Sequence, residues 1–341
     1  MASIKVVRTD AQLECPRLDA GLRARNLELV LVPDGITEAH LAREVQDAAI
    51  LLMCYTPVTA PVIESATRLR GIVKYGVGID AIDINAARAR GIPVVNIPEY
   101  AERTVAEGAF TLLLALAKKL APMHAAMRLG GWVWPGAPWL GTDIAGKTLG
   151  LVGVGRIGRS MAQMAGAGFQ ARVLGFDPNV SAAQMRAAGV EKRDDLHAML
   201  AECDFVSIHC VLNDSTRGLI GAPEFTRMKH GAILINVSRG AIVDESALLR
   251  ALREGRLGGA GLDVYASEPL NKTVHPLAPL FEMDNVILTP HLTFFTREAM
   301  QRLEEKALQR CDELLSGQPL LVKSRDPRLT AQEKGVRFPT T

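Results

Sequence analysis

Short apolar runs alternate with longer amphipathic ones along most of the chain, the pattern of βα units on a parallel sheet. Ile4–Val7, Leu29–Val32, Ile50–Met53, Gly71–Lys74 and Pro93–Asn96 are expected as strands, with helices between them such as Thr37–Val45 and Ile84–Ala89. Thr104-Val-Ala-Glu107 then has the spacing of a capping box, and the Ala/Leu-rich run behind it predicts one long helix to about Met127. GGWVWPGAPWL follows, holding Trp132, Trp134 and Trp139, and reads as a loop anchored by hydrophobic contact. A second α/β series starts at Lys147. Its six expected strands are Thr148–Val152, Ala171–Phe176, Phe205–Cys210, Ala232–Val237, Gly261–Val264 and Val286–Thr289. Ile157–Ala167, Asp195–Ala201 and Glu245–Arg253 are expected as helices between them, with a further amphipathic helix over Phe295–Leu315. The tail from Gly317, with Pro319, Pro327 and Pro339, is expected to lie extended on the surface.

The 341 residues, 48% hydrophobic and 22% charged, suit two globular domains and exclude a disordered chain, a collagen-like repeat and a disulfide scaffold. Lys+Arg 39 against Asp+Glu 37 argues against a polyanion binder, which needs a concentrated basic face, so no nucleic-acid partner is expected. Cys15, Cys54, Cys203, Cys210 and Cys311 are odd in number and lack Cys-x-x-Cys spacing, which points to reduced thiols in a cytoplasmic protein and to no metal site. The opening MASIKVVRTD turns polar too soon for a signal peptide, and the most apolar stretch, Ala109–Ala117, is too short to span a bilayer, so no membrane association is expected.

Candidate chemistry begins at Gly153-x-Gly155-x-x-Gly158, which follows an apolar strand and opens a helix. Gly153 allows the tight turn, Gly155 close backbone approach to a pyrophosphate, and Gly158 close helix–strand packing; the positive helix end favours the anion. Asp177 lies 19 positions after Gly158 at the next strand end, placed to accept from the ribose hydroxyls of an adenosine. A 2′-phosphate about 4 Å away would be repelled by up to roughly 4 kcal/mol at an effective dielectric of about 20. No arginine follows at Pro178 or Asn179 to offset this, so NAD(H) is expected over NADP(H). A dinucleotide turn in mid-chain suggests a cofactor domain inserted into another domain, with a cleft formed by the two crossings.

Several segments occur in an order and spacing that resembles the D-isomer-specific 2-hydroxyacid dehydrogenase family. They are Tyr75-Gly-Val-Gly-Ile-Asp80, Asn96-Ile-Pro-Glu-Tyr100, Thr104-Val-Ala-Glu107, Gly146-Lys-Thr-Leu-Gly150, the glycine turn, Asn236-Val-Ser-Arg-Gly240, Asp263-Val-Tyr-Ala-Ser-Glu-Pro269 and Thr289-Pro-His291. The resemblance runs from about Ile4 to Leu315. It implies an α/β fold of two doubly wound parallel-sheet domains, a Rossmann cofactor domain (101–292) inserted into a flavodoxin-like substrate domain (1–100 plus 293–341). The implied activity is interconversion of a small 2-keto acid and its D-2-hydroxy acid, of glyoxylate/hydroxypyruvate or 3-phosphoglycerate type. The implied catalytic residues are Arg239, Glu268 and His291. His291 suits a proton donor, Glu268 would fix its tautomer and favour imidazolium, and Arg239 offers a planar fork to carboxylate and carbonyl. The resemblance also implies cofactor contacts from Thr104, Arg156, Ile157, Val237, Ser238 and Asp263 besides the three glycines and Asp177. It implies substrate binding by backbone N–H groups of Tyr75, Gly76, Val77 and Gly78, together with Arg239 and His291. Lys74 either adds field there or is a solvated lysine. The long helix from Thr104 is apolar beyond one face, which with the resemblance implies a homodimer.

Two segments depart from the family pattern: Cys210-Val-Leu-Asn213 after His209, and Leu292-Thr-Phe-Phe-Thr296 after His291. At least one of Phe294 and Phe295 is expected to pack internally. Their bulk resembles aromatic pairs in NAD-binding corepressors of the superfamily, which makes an NAD(H)-sensing binding protein the alternative reading, with a phosphite-type dehydrogenase as a third. His209 is expected to belong to the cofactor loop, not to proton transfer; His124, His197, His230 and His275 carry no motif.

Overall fold

The computed structural model describes residues 3–339. Met1, Ala2, Thr340 and Thr341, which the expected substrate domain includes, lie outside the described residues. The chain divides into two compact units, one running to Ala101 and resuming at Thr296, the other Glu102–Phe295.

The first unit holds a five-stranded parallel sheet: β1 (Lys5–Arg8), β2 (Glu28–Leu31), β3 (Ile50–Met53), β4 (Gly71–Lys74) and β5 (Val94–Asn96), ordered β2-β1-β3-β4-β5. This is the flavodoxin-like order, with its switch point between β1 and β3. β3 and β4 are buried at every position, as strands covered by helices on both faces must be. The second unit holds seven parallel strands: β6 (Thr148–Val152), β7 (Arg172–Phe176), β8 (Glu191–Lys192), β9 (Phe205–Ile208), β10 (Ala232–Asn236), β11 (Leu257–Leu262) and β12 (Val286–Leu288). Their order, β12-β11-β10-β9-β6-β7-β8, is the Rossmann order with one strand added.

Several expectations need correction. β8 was not among the six expected strands, because Glu191 and Lys192 are polar and carry no hydrophobic signal. β11 begins at Leu257 and ends before Asp263, not over Gly261–Val264. Its glycines dilute the apolar pattern, yet they are needed: a Cβ on Gly258 would lie 2.3 Å from the Gly231 carbonyl oxygen and one on Gly259 2.6 Å from that of Asn285. No capping box forms at Thr104–Glu107, because the helix starts earlier, at Glu102, and runs to Ala117 with Thr104 buried inside it. Lys119, left-handed at φ 55°, breaks the expected single helix, which resumes as Leu120–Gly130. The apolar breadth of Glu102–Ala117 is explained within its own unit, where Ala106, Phe110, Leu113 and Leu116 pack into the core beside Leu149, Leu151 and Ile235.

The tail is not merely extended on the surface. It forms a short parallel pair, Leu320–Leu321 with Val336–Arg337, and buries Leu320, Val322 and Leu329. The Gln332 side chain accepts from the Val94 N–H (2.7 Å) and donates to its carbonyl (2.8 Å), closing the edge of β5. Trp132 and Trp134 are exposed rather than anchored, their rings 6.2 Å apart. Phe294 is buried and Phe295 half exposed. Among the described residues no helix is long and apolar enough to cross a membrane.

Candidate active site

In the second unit β6 runs into Gly153 at φ 96°, where a side chain would be strained and its Cβ would lie 2.4 Å from the Cys210 nitrogen. A Cβ on Gly158 would meet the Gly153 carbonyl oxygen at 2.4 Å. Gly155 is different: it faces open space at the start of helix Arg156–Gln163, and its own position offers no side chain to cap that helix. Two glycines close the turn and the third leaves room in front of the helix end, an arrangement that fits a dinucleotide pyrophosphate. At the end of β7, Asp177 accepts from the Val154 N–H (3.0 Å) and the Asn179 N–H (2.9 Å), which leaves half of its acceptor capacity. Beside the turn, the Ser238 hydroxyl donates to the Cys210 carbonyl, and Val237 lies in the apolar core. His209 pairs its Nε2 with Ser207 Oγ at 2.9 Å and leaves Nδ1 buried without a partner among the described residues. Burial pushes it down to about 4, so it is neutral at neutral pH.

Arg239, Glu268 and His291 follow β10, β11 and β12, three neighbouring strands, at their carboxyl ends. Asn236 shapes the first turn: its amide donates to the Arg239 carbonyl (2.9 Å) and its Oδ1 accepts from the Ser238 N–H (3.1 Å). His291 Nδ1 lies 2.8 Å from Glu268 Oε2, while Glu268 Oε1 accepts from the Tyr265 N–H at 2.9 Å. Burial pushes the Glu268 carboxyl up, but the His291 hydrogen bond and charge, the Tyr265 N–H and the Arg239 charge outweigh it, holding Glu268 below the usual carboxylate range. His291 itself has left-handed backbone, φ 57°. Asp263, fully buried, holds that loop. Its Oδ1 accepts from Thr289 Oγ1 (2.6 Å) and the Leu292 N–H (3.0 Å), and its Oδ2 from Thr293 Oγ1 (2.6 Å) and the Thr293 N–H (3.1 Å). Sequence reasoning counted Asp263 as a cofactor contact and missed this part, since nothing in the motif shows which donors face the carboxylate.

In the first unit the segment Tyr75–Gly78 follows β4. The Tyr75 side chain is spent inside the unit: its hydroxyl donates to the Thr9 carbonyl at 2.6 Å, beneath the Arg8–Asp19 ion pair. The Tyr75 N–H donates to the Met53 carbonyl and the Gly76 N–H to that of Lys74, both at 3.0 Å. The Val77 and Gly78 N–H groups have no acceptor among the described residues. Their direction follows from peptide planarity. The Gly76 carbonyl accepts from the Ile97 N–H (2.9 Å) and the Val77 carbonyl from the Asn96 amide (2.5 Å), so each N–H of those two peptides points the opposite way. Of the four substrate-binding donors expected, the structure leaves two uncommitted. Lys74 is not solvated: it is 6% exposed. Among the described residues no cluster of three or more His, Cys, Asp or Glu is placed to hold a metal.

Residues 110–293 match the model of the D-isomer specific 2-hydroxyacid dehydrogenase, NAD binding domain. A glyoxylate reductase of Korarchaeum cryptofilum is 40% identical over 78% of this chain and 79% of its own length. A D-3-phosphoglycerate dehydrogenase of Methanocaldococcus jannaschii is 37% identical over 85% of this chain and 54% of its own length. The chain thus spans about half the length of the D-3-phosphoglycerate dehydrogenases it matches. Among solved structures, the D-lactate dehydrogenase of Aquifex aeolicus in complex with NAD and lactic acid superposes with a TM-score of 0.82 at 28% identity, over 92% of this chain and 96% of that one.

Proposed function

The chain belongs to the D-isomer-specific 2-hydroxyacid dehydrogenase family, and from that premise we propose that it is an NAD-dependent oxidoreductase interconverting a short 2-keto acid and its D-2-hydroxy acid. The observation that carries this reading is the His291–Glu268 pair, 2.8 Å apart at the carboxyl end of the sheet whose glycine turn fits a dinucleotide. Bound reduced nicotinamide supplies the hydride. Glu268, ionised, accepts from Nδ1 of His291 and so leaves Nε2 as the atom that gives a proton to the carbonyl oxygen in reduction and takes it back in oxidation. Arg239 presents its donor fork to the substrate's negative charge. The Val77 and Gly78 N–H groups are the carboxylate donors of the first unit. Glyoxylate and hydroxypyruvate are the first substrates of this reading. Asp177 selects NAD(H) by accepting from ribose hydroxyls and repelling a 2′-phosphate.

The test is NADH and NADPH oxidation with a panel of 2-keto acids. Turnover of glyoxylate or hydroxypyruvate with a higher kcat/KM for NADH is expected; tight NADH binding with no turnover of any acid refutes the enzymatic reading. Five cysteines, four of them buried and with no disulfide among the described residues, support a reducing, cytoplasmic setting. A homodimer is supported by exposed apolar side chains between the two halves of the second unit's chain, Leu129 at 91%, Trp134 at 78% and Leu140 at 79%. Light scattering reads it, with a monomer at working concentration as the refuting result.

A further inference from the structure

The Lys74 ammonium is buried at the end of β4 and has no carboxylate within ion-pair distance among the described residues. Its contacts are the Cys54 carbonyl, the Cys54 thiol at 3.5 Å and the face of Tyr55, whose centroid is 5.6 Å away. None of these neutralises a positive charge. The acid on that segment, Asp10, spends both oxygens elsewhere: it accepts from the N–H groups of Cys54, Tyr55 and Thr56 and from the hydroxyls of Thr9 and Thr56. The side chain of Lys74 occupies the space under Gly76, where a Cβ would lie 3.1 Å from Nζ and 3.0 Å from Cε. Gly76 is therefore a window: the ammonium lies directly beneath the turn whose next two N–H groups are uncommitted. Burying a cation without a counter-charge is unfavourable unless a ligand anion completes the pair.

We propose that Lys74 is a further substrate-binding residue, its ammonium under Gly76 supplying the charge that draws a ligand carboxylate onto the Val77 and Gly78 N–H groups. The proposal deepens the reading of this turn given above and rests on it. Two backbone donors orient a carboxylate but carry only partial charge; a lysine beneath them adds a full one without adding bulk where the ligand sits. The consequence is selectivity for acids over their neutral analogues.

The experiment measures reduction of glyoxylate, hydroxypyruvate, pyruvate and the neutral pyruvamide by the full chain with NADH, for the wild type, Lys74→Met and Lys74→Arg. Lys74→Met keeps the stem and removes the charge. It is expected to raise KM for the best acid by about tenfold or more, with kcat changed by less than about threefold and NADH affinity unmoved. The preference for pyruvate over pyruvamide is expected to vanish in Lys74→Met and persist in Lys74→Arg. A merely structural lysine would depress acid and amide alike, and that result, or an unchanged KM for the acid, overturns the proposal. Should Lys74→Met not fold, Lys74→Gln is read by the same criteria. If the wild type reduces none of the acids, the functional reading falls, and oxalate titrated into the NADH complex decides about Lys74. Binding weakened about tenfold or more in Lys74→Met supports the proposal; equal binding, or none to the wild type, overturns it.

Discussion

Gly240→Ala tests whether the backbone around Arg239 and Glu268 is built to a single tolerance. A Cβ at Gly240 would lie 1.9 Å from the Tyr265 carbonyl carbon, 2.2 Å from the Ala266 nitrogen and 2.4 Å from the Tyr265 Cα, all backbone atoms that cannot swing aside. Restoring ordinary contact near 3.5 Å requires the two segments to separate by about 1.5 Å. The moved segment is not inert. The Tyr265 N–H holds Glu268 Oε1 at 2.9 Å, the Tyr265 hydroxyl donates to the Thr289 carbonyl at 2.9 Å just before His291, and the Ala266 N–H donates to Glu245 at 2.7 Å. Overpacking of this kind costs about 1–3 kcal/mol, and a displacement of about 1 Å at a reacting group costs on the order of a hundredfold in rate. The expected variant therefore folds, melts several degrees lower, still binds NADH through the glycine turn, which is not among the atoms the new Cβ meets, and loses about two orders of magnitude in kcat. Steady-state kinetics, cofactor fluorescence and a melting curve read all three. Wild-type kcat in a folded Gly240→Ala protein would refute the claim that this contact sets the catalytic geometry.

His291→Ala is expected to lower kcat by orders of magnitude while NADH binding survives, and near-normal turnover would remove it as the proton donor. Glu268→Gln takes away the charge at Nδ1, so in reduction the limb where the rate falls with rising pH should move to lower pH; an unmoved profile would dismiss the pair. Asp263→Asn sets an amide NH2 against one backbone N–H, a donor–donor conflict, and makes the threonine hydroxyl it also faces turn round and accept, at a cost on the order of 2 kcal/mol read as a shifted urea midpoint, together with reduced kcat from a loosened His291 loop. His209 takes up its proton near pH 4 in the fold against 6.5 for a free imidazole. The unfolded chain thus binds more protons between those values, so stability falls as the pH drops through that window, by at most about 3 kcal/mol, and levels off below it. His209→Asn should flatten that slope in urea titrations at pH 4, 5.5 and 7; an unchanged slope would show the ring titrates freely.

What could be read from the chain depended on whether the signal was local. β3, β4 and β6 are buried at every position because both faces are covered, and their largely apolar sequences make their limits readable to the residue. β8 is two polar residues at a sheet edge, and Lys119 enters left-handed backbone with no glycine to announce it; neither has a local signature. The tail is hidden for a related reason: its polar composition masks Leu320, Val322 and Leu329, in a segment whose Gln332 binds an edge strand 238 positions earlier.

The site divides along the same line. Residue types were legible because the chemistry demands them: glycines for a turn that no Cβ fits, an imidazole beside a carboxylate, a guanidinium after a strand. Which groups are spent was not, because that is decided by partners distant in sequence. The Tyr75 N–H looks identical to those of Val77 and Gly78 until β3 supplies it the Met53 carbonyl, while Ile97 and the Asn96 amide take the Gly76 and Val77 carbonyls and turn the next two N–H groups the other way. Asp263 and Lys74 are the sharpest contrast. Both are buried charges in recognisable segments, yet one meets four donors and becomes scaffold, while the other meets no counter-charge among the described residues, which is the ground for assigning it a ligand. A buried charge acquires its role from what stands opposite it, and only the fold determines that.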